Sequence, residues 1–250
     1  MLTKKQIVDD LDQLGIKEGD KVLIHTSLSK VGRLEDGPEG FVEAILLALG
    51  QEGLAVFPTF TGTAEDSVKN PPQFNVLESL CWTGKVPEVA RKRADALRSL
   101  HPTHSVAAIG LGKKELTLDH EKVDTPCAKG SPFVKLAEAS GKILLVGVDH
   151  NSNTTFHTAE ELAECPYHML AEPALATVID YSGKKRQVLT ALHKWGTERN
   201  FNLLEEEFIK KGIQRSGRVG NAECRLIESM PMIEIIVGFL KKDPNYLVVR

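Results

Sequence analysis

Apolar residues recur along the chain with two different periods, and the switches between them mark out its elements. Ile7, Leu11 and Leu14 fall on one helical face. Thr3 and Gln6 make a capping box ahead of them and Gly15 ends the stretch, so a helix is predicted there. KVLIHTS (21–27) reads as a strand that ends in polar residues. Gly37-Pro38 opens a second helix, apolar from Phe41 to Leu49 and closed by Gly50. LAVFP (54–58) is a second short strand. This helix–strand–helix–strand rhythm predicts an α/β fold: a three-layer α/β/α core on a mixed sheet.

Residues 61–82 are polar, contain Pro71-Pro72 and read as one long loop, a length that in a compact domain usually carries function. KVPEVARKR is predicted helical and SVAAIG (105–110) a strand. Ser131-Pro132 caps a helix over FVKLAEA that stops at Gly141. KILLVGV (142–148) is apolar on both faces, as a central strand is. Further on, ALATVIDYSGKKRQVLTAL alternates around Tyr181-Ser182-Gly183, a hairpin signal. A helix near 202–211, a strand in VGNAECRLIES and a helix over MPMIEIIVGFLKKDP complete the pattern. No linker separates these parts. A single domain over 1–250 is expected, with the α/β core over about 1–170 and a smaller α+β part over about 171–250.

Composition narrows the class. With 42% hydrophobic residues the chain can bury a sizeable core, and a net charge of −3 gives no reason to expect nucleic acid or an anionic membrane as partner. The N-terminal MLTKKQIVDDLDQLG lacks the apolar stretch of a secretory signal, and no run approaches a membrane span. Cys81, Cys127, Cys165 and Cys224 lie far apart with no C-x-x-C, which argues against a zinc knuckle and suggests a reducing cytoplasm.

Three polar stretches carry candidate chemistry. HTSLSKVG (25–32) follows a strand, where α/β proteins bind ligands, although capping serines explain it equally. RSLHPTHSVAAIG (98–110) holds His101 and His104; two histidines three apart suggest a metal, but no matching pair supports one. HNSNTTFHTAEELAE (150–164) places His157 near the start of a helix, with Glu160 and Glu161 three and four residues on. A carboxylate at that spacing holds one imidazole tautomer and raises its basicity. Thr154 and the helix N–H groups suit an oxyanion. A capped helix with a solvated acidic face accounts for the same residues. Glu161, Glu164, Glu65 and Asp66 could also draw in a polycationic acceptor. No P-loop and no G-x-G-x-x-G occurs, and QRSGRVG (214–220) misses the pyrophosphate loop of the common N-acetyltransferases at Val219.

In combination, HTSLSKVG, GKVPEVARKRADALRSLHPTHSVAAIG and GSPFVKLAEASGKILLVGVDHNSNTTFHTAEE resemble the aminoglycoside 3-N-acetyltransferase family, in order and spacing, from about residue 4 to 165. The resemblance implies that family's own α/β fold and an acetyl-CoA-dependent transferase acting on an amino group, with acetyl-CoA as co-substrate and no metal. It implies His157 as catalytic base, Glu160 as the group that orients it and Thr154 as the residue that steadies the tetrahedral intermediate. It also implies Ser27 and Leu28 along the pantetheine arm, and Ser99, His101 and Ser105 in the coenzyme pocket. The acceptor implied is the 3-amino group of an aminoglycoside, a small-molecule amine. The loop before TGKVPE is shorter than in drug-resistance members, and Phe74-Asn75 stands where many have Phe-Asp. An alternative is therefore acyl transfer to another amine metabolite or amino sugar. Two further readings compete: a coenzyme A binding protein with little catalysis, and a metal-dependent hydrolase on His101, His104, His150 and His157. The apolar C-terminal helix serves either the core or a homodimer interface.

Overall fold

The computed structural model describes residues 1–249. Its first helix, α1 (Lys4–Leu14), starts at Thr3, whose hydroxyl accepts from the Gln6 N–H while the Gln6 side chain takes the Thr3 N–H, the predicted capping box. It is followed by β1 (Lys21–Thr26), a one-turn α2 (Leu28–Val31), α3 (Gly37–Leu49), β2 (Leu54–Pro58), β3 (Gln73–Asn75), α4 (Lys85–Lys92), β4 (Leu97–Arg98) and β5 (Val106–Gly110). Then come α5 (Lys113–Thr117), α6 (Pro132–Glu138), β6 (Lys142–Val146) and α7 (Thr155–Leu162). The chain ends with β7 (Ala174–Ile179), β8 (Lys185–Thr190), α8 (Glu205–Lys210), β9 (Gln214–Val219), β10 (Ala222–Glu228) and α9 (Ser229–Leu240).

Seven strands form the central sheet in the order β4-β5-β2-β1-β6-β10-β9. The inner strands β2, β1 and β6 run parallel, and antiparallel strands flank them on both sides, so the sheet is mixed as expected. Side-chain alternation divides the core. Val22 and Ile24 of β1, Phe57 of β2 and Leu144 of β6 pack with Ile7 and Leu11 of α1 and Phe41 and Ile45 of α3 on one face. Leu23, Val56, Ile143 and Leu145 pack with Phe133 of α6, Phe156 of α7 and Ile236 of α9 on the other. The chain is thus a three-layer α/β/α sandwich. The apolar C-terminal helix is part of this core, with Met232, Ile236 and Leu240 fully buried. No helix among the described residues is long and apolar enough to cross a membrane.

Segment 61–82 differs from its prediction as one continuous loop. Gln73–Asn75 forms β3, which pairs in parallel with β7 in a second sheet of order β3-β7-β8. Three residues behind a double proline give no periodic signal, and their partner comes from far along the chain. The hairpin β7–β8 turns at the predicted Tyr181–Gly183, where Gly183 has φ +77°. QRSGRVG is no phosphate loop; it is β9, paired with β10.

At the carboxyl end of β6 the chain turns at Gly147, φ +64°, where a Cβ would come within 2.8 Å of Lys30 Cβ. That turn releases 148–154 across the ends of β1 and β6 and sets the start of α7 there. Ligands bind at this edge of a parallel sheet.

Candidate active site

A cavity of about 490 Å³ opens at the carboxyl ends of β1 and β2. Its walls include Thr26, Phe60, Asn153, Thr154 and His157, and its far side is closed by His193–Arg199. Trp82 and Trp195 meet edge-on at its rim, ring centroids 6.4 Å apart. Among the described residues that line it there is no aspartate or glutamate, whereas Lys194 and Arg199 are present.

His157 stands in the first turn of α7, and its Nδ1 lies 2.6 Å from Glu160 Oε2. The helical spacing of three residues brings the two together. Glu160 has no solvent exposure, and Arg199 Nε donates to its second oxygen at 3.0 Å. Burial would push this carboxyl up; the hydrogen bond and charge of His157, then the charges of His168 and Arg199, outweigh it and hold it at about 2. An ionised Glu160 fixes the Nδ1–H tautomer and leaves Nε2 bare. Thr154, 6% exposed, lines the cavity one turn before His157 and makes no side-chain capping bond.

Sequence reasoning missed most of what surrounds this pair. His168 Nδ1 lies 3.0 Å from Arg199 Nη2 and 3.2 Å from Glu160 Oε2. His193 Nε2 lies 2.8 Å from Glu161 Oε1. Glu161, which the sequence leaves open between the site and a solvated face, is buried and accepts the Cys127 backbone N–H at 2.8 Å. His25 also lines the cavity; burial, then the charge of His157, pulls it down to about 3. The histidines were visible in the sequence, but no short spacing ties 25, 168 or 193 to 157.

The remaining predicted residues sit elsewhere. Ser27 donates its backbone N–H to Val146, pairs Oγ to Oγ with Ser29 at 3.3 Å, and Leu28 packs toward the α1–α3 side of the core. Ser99, His101 and Ser105 are buried and do not reach the cavity wall. Ser99 Oγ pairs with His120 Nδ1 at 2.9 Å, and Ser105 Oγ donates to Thr59 O at 2.8 Å. His101 Nδ1 accepts the backbone N–H groups of Thr103 and His104, at 3.3 and 3.0 Å, and those two residues do line the cavity. The four histidines of the hydrolase reading do not converge: His150 Nε2 bonds Gln214 away from the cavity. Among the described residues three donor sets have metal-ligand proximity, with ligand atoms within 4.8 Å of one another: His157–Glu160–His168, Glu161–His168–His193 and His104–Cys127–His193.

A second groove, about 580 Å³, shares Val148 and Ser152 with the cavity. Lys30, Arg218 and Arg225 line it, with Asp149 and Glu223. Cys165 and Cys127 are buried thiols pushed up by that burial, so neither is a ready nucleophile.

Residues 23–241 match the sequence model of the aminoglycoside 3-N-acetyltransferase family. Aminoglycoside N(3)-acetyltransferase IV from Salmonella sp is 33% identical over 246 residues, covering 96% of this chain and 88% of that one. Among solved structures, a mutant of aminoglycoside acetyltransferase AAC(3)-IVa in complex with a gentamicin is similar at TM-score 0.83 and 30% identity, over 99% of this chain and 92% of the other. AAC-IIIb in a binary complex with CoASH is similar at TM-score 0.85 and 27% identity, over 96% of this chain and 97% of the other. The chain belongs to the aminoglycoside 3-N-acetyltransferase family and is an acetyltransferase of its α/β fold.

Proposed function

We propose that this chain moves the acetyl group of acetyl-CoA onto an amino group of an aminoglycoside-type acceptor, at the 3-amino position by analogy with the family. The observation that carries the reading is the 2.6 Å His157–Glu160 pair at the wall of a cavity bounded by aromatic rings. His157 Nε2 takes a proton from the acceptor nitrogen as that nitrogen attacks the thioester carbonyl. Glu160 keeps the ring oriented and stabilises the imidazolium. Thr154 donates its hydroxyl to the developing oxyanion. Transfer is direct, since the buried thiols are raised away from reactivity.

The coenzyme's acyl end lies in the cavity, and its phosphates reach the adjoining groove at Lys30 and Arg218. Ser27 and Leu28 act through the turn and α2, which carry Lys30 to the groove. His101 acts from behind, by holding the backbone of Thr103 and His104 against the cavity, while Ser99 and Ser105 brace the start of β5 through Val106 N–H and Thr59 O. The protein works as one acetyltransferase domain over 1–250, and its four free thiols suit a reducing cytoplasm.

The cavity lining favours a second reading of the acceptor. A polycation is best met by carboxylates, and like charges facing each other cost affinity. A wall with Lys194 and Arg199 and no lining carboxylate suits an amine that carries few other positive charges, such as a simple amino sugar or another amine metabolite.

Release of free thiol from acetyl-CoA tests both readings with one panel, running from polycationic aminoglycosides to mono-amino sugars. His157→Ala should lower kcat by at least about 100-fold and leave coenzyme binding intact. A loss of only a few-fold would remove His157 as the base. Turnover confined to low-charge amines would select the second acceptor class.

A further inference from the structure

A second histidine–carboxylate pair faces the same cavity. Glu161 follows Glu160 in α7 and is equally shut off from solvent, its side chain having no exposure. Its Oε1 accepts from His193 Nε2 at 2.8 Å, which leaves His193 Nδ1 as the bare nitrogen. His168 lies between the two pairs: its Nδ1, which accepts from Arg199 Nη2 at 3.0 Å, is 3.2 Å from Glu160 Oε2, and its Nε2, buried and without a hydrogen-bond partner, is 3.8 Å from Glu161 Oε1. The rings of His157 and His168 have centroids 5.0 Å apart, those of His168 and His193 4.1 Å, and those of His157 and His193 5.1 Å.

Charge and chemistry both ask for this second pair. Two buried carboxylates lie beside a single guanidinium, that of Arg199, so the cluster is one charge short of neutral when its imidazoles are neutral. It is neutralised by one added proton. The transfer turns R–NH₃⁺ and an acetyl thioester into an amide, a free thiol and one H⁺. One C–N bond forms and one C–S bond breaks. Two N–H bonds of the ammonium break; one of those protons ends on sulfur and the other leaves for water. His157 can hold only one of them at a time.

We propose that His193, held by Glu161 and packed against His168, is a second proton acceptor that takes the ammonium proton before attack. This rests on acetyl transfer to an amine as the reaction. His157 is then free to take the second proton as the C–N bond forms and to deliver it to the departing sulfur. The first proton returns to water from His193, whose side chain keeps 10% exposure. The titratable groups facing His193 are Glu161, His168, His157, His104, Cys127 and, further off, His101. Burial pulls its imidazole down to about 4 against the pull of Glu161, so the ring rests neutral at neutral pH, and proton uptake depends on the Glu161 carboxylate beside it.

Steady-state kinetics across pH, with the full chain, acetyl-CoA and the best amine of the panel, tests this. His193→Gln should lower kcat by about 100-fold near neutral pH, with the coenzyme KM within about twofold. The loss should shrink as pH rises past the amine's own pKa, and added imidazole should restore part of it. A loss below about threefold, or one that is equal at every pH and unmoved by imidazole, overturns the proposal. A readout without turnover covers the buried partner. In ¹⁵N-imidazole NMR titrations, His168 and His193 should take up one proton between them, and Glu161→Gln should abolish that uptake. Independent titration of the two rings, untouched by Glu161→Gln, would also overturn it. Should His157→Ala turn over as fast as wild type, the parent reading fails; should His157→Ala be inactive and His193→Gln normal, only this inference does.

Discussion

Two stretches of similar composition, 98–105 and 150–164, end in opposite roles. Both follow or precede a central strand, and both mix histidines with hydroxyl residues. In 150–164 the polar groups line a cavity, and the His157–Glu160 pair keeps one imidazole face open to it. In 98–105 only Thr103 and His104 reach the cavity wall, and the other polar groups turn inward. Arg98, 2% exposed, spends its guanidinium on Thr59 Oγ1, Ser105 Oγ and the carbonyls of Thr59, Val76 and Ser79, and its backbone on Tyr181. Its charge also stacks over Phe74 of the second sheet, 4.8 Å from the ring centroid. Polar residues at a strand end therefore signal function only when something keeps them apart from each other. Where they satisfy one another they are a bracket, here the one that joins the two sheets.

The sharpest way to break this contrast is Arg98→Ala. It takes the guanidinium donors away from the carbonyls of Val76 and Ser79 and opens a buried gap against Phe74, and the cost should be on the order of 3–4 kcal/mol. Urea unfolding should show that loss, while any surviving folded fraction keeps its kcat per active molecule. A variant that unfolds like wild type but loses turnover would place Arg98 in the chemistry instead.

Acid sensitivity comes next in size, and its largest share is carried by buried histidines outside the second stretch. Burial pulls His25 and His120 down to about 3, and holds His101 and His104 well below their usual range. The sign follows from folded pKa values that lie below the unfolded value of about 6.5. The unfolded chain binds these protons first, so the stability is fully present above about pH 6.5 and drains as pH falls toward the folded values. Each such ring contributes up to about 1.4 kcal/mol per pH unit in that window. Tm should fall steadily from about pH 7 to about pH 5. A flat Tm over that interval would mean that the rings are hydrated in the native state.

The unequal legibility of the two stretches has a physical cause. Local signals carried far: the capping box at Thr3, the doubly apolar β6, the hairpin at Tyr181–Gly183 and the three-residue spacing of His157 and Glu160 each lie within one turn or one strand. Signals that depend on distant partners did not. β3 exists only because β7 pairs with it. Glu161 reads as surface because its partner His193 lies 32 residues on, beyond the second sheet. Arg199, which ties Glu160 to His168, sits 39 residues past Glu160 in a segment with no periodicity at all.

The smallest expected effect bears most directly on how the coenzyme is held. Ser105 Oγ donates to Thr59 O and accepts from Arg98 Nε at 3.0 Å, and no part of the side chain is exposed. Ser105→Ala removes one acceptor and one donor, worth about 1–2 kcal/mol of stability. If Ser105 serves the coenzyme only by bracing β5 and the Thr103–His104 backbone, the KM for acetyl-CoA should stay within about twofold while Tm drops by a few degrees. A tenfold rise in that KM at unchanged Tm would mean that the hydroxyl meets the coenzyme itself. That outcome would require the wall at Thr103 and His104 to open when coenzyme enters, and the difference between the two stretches would become one of state rather than of structure.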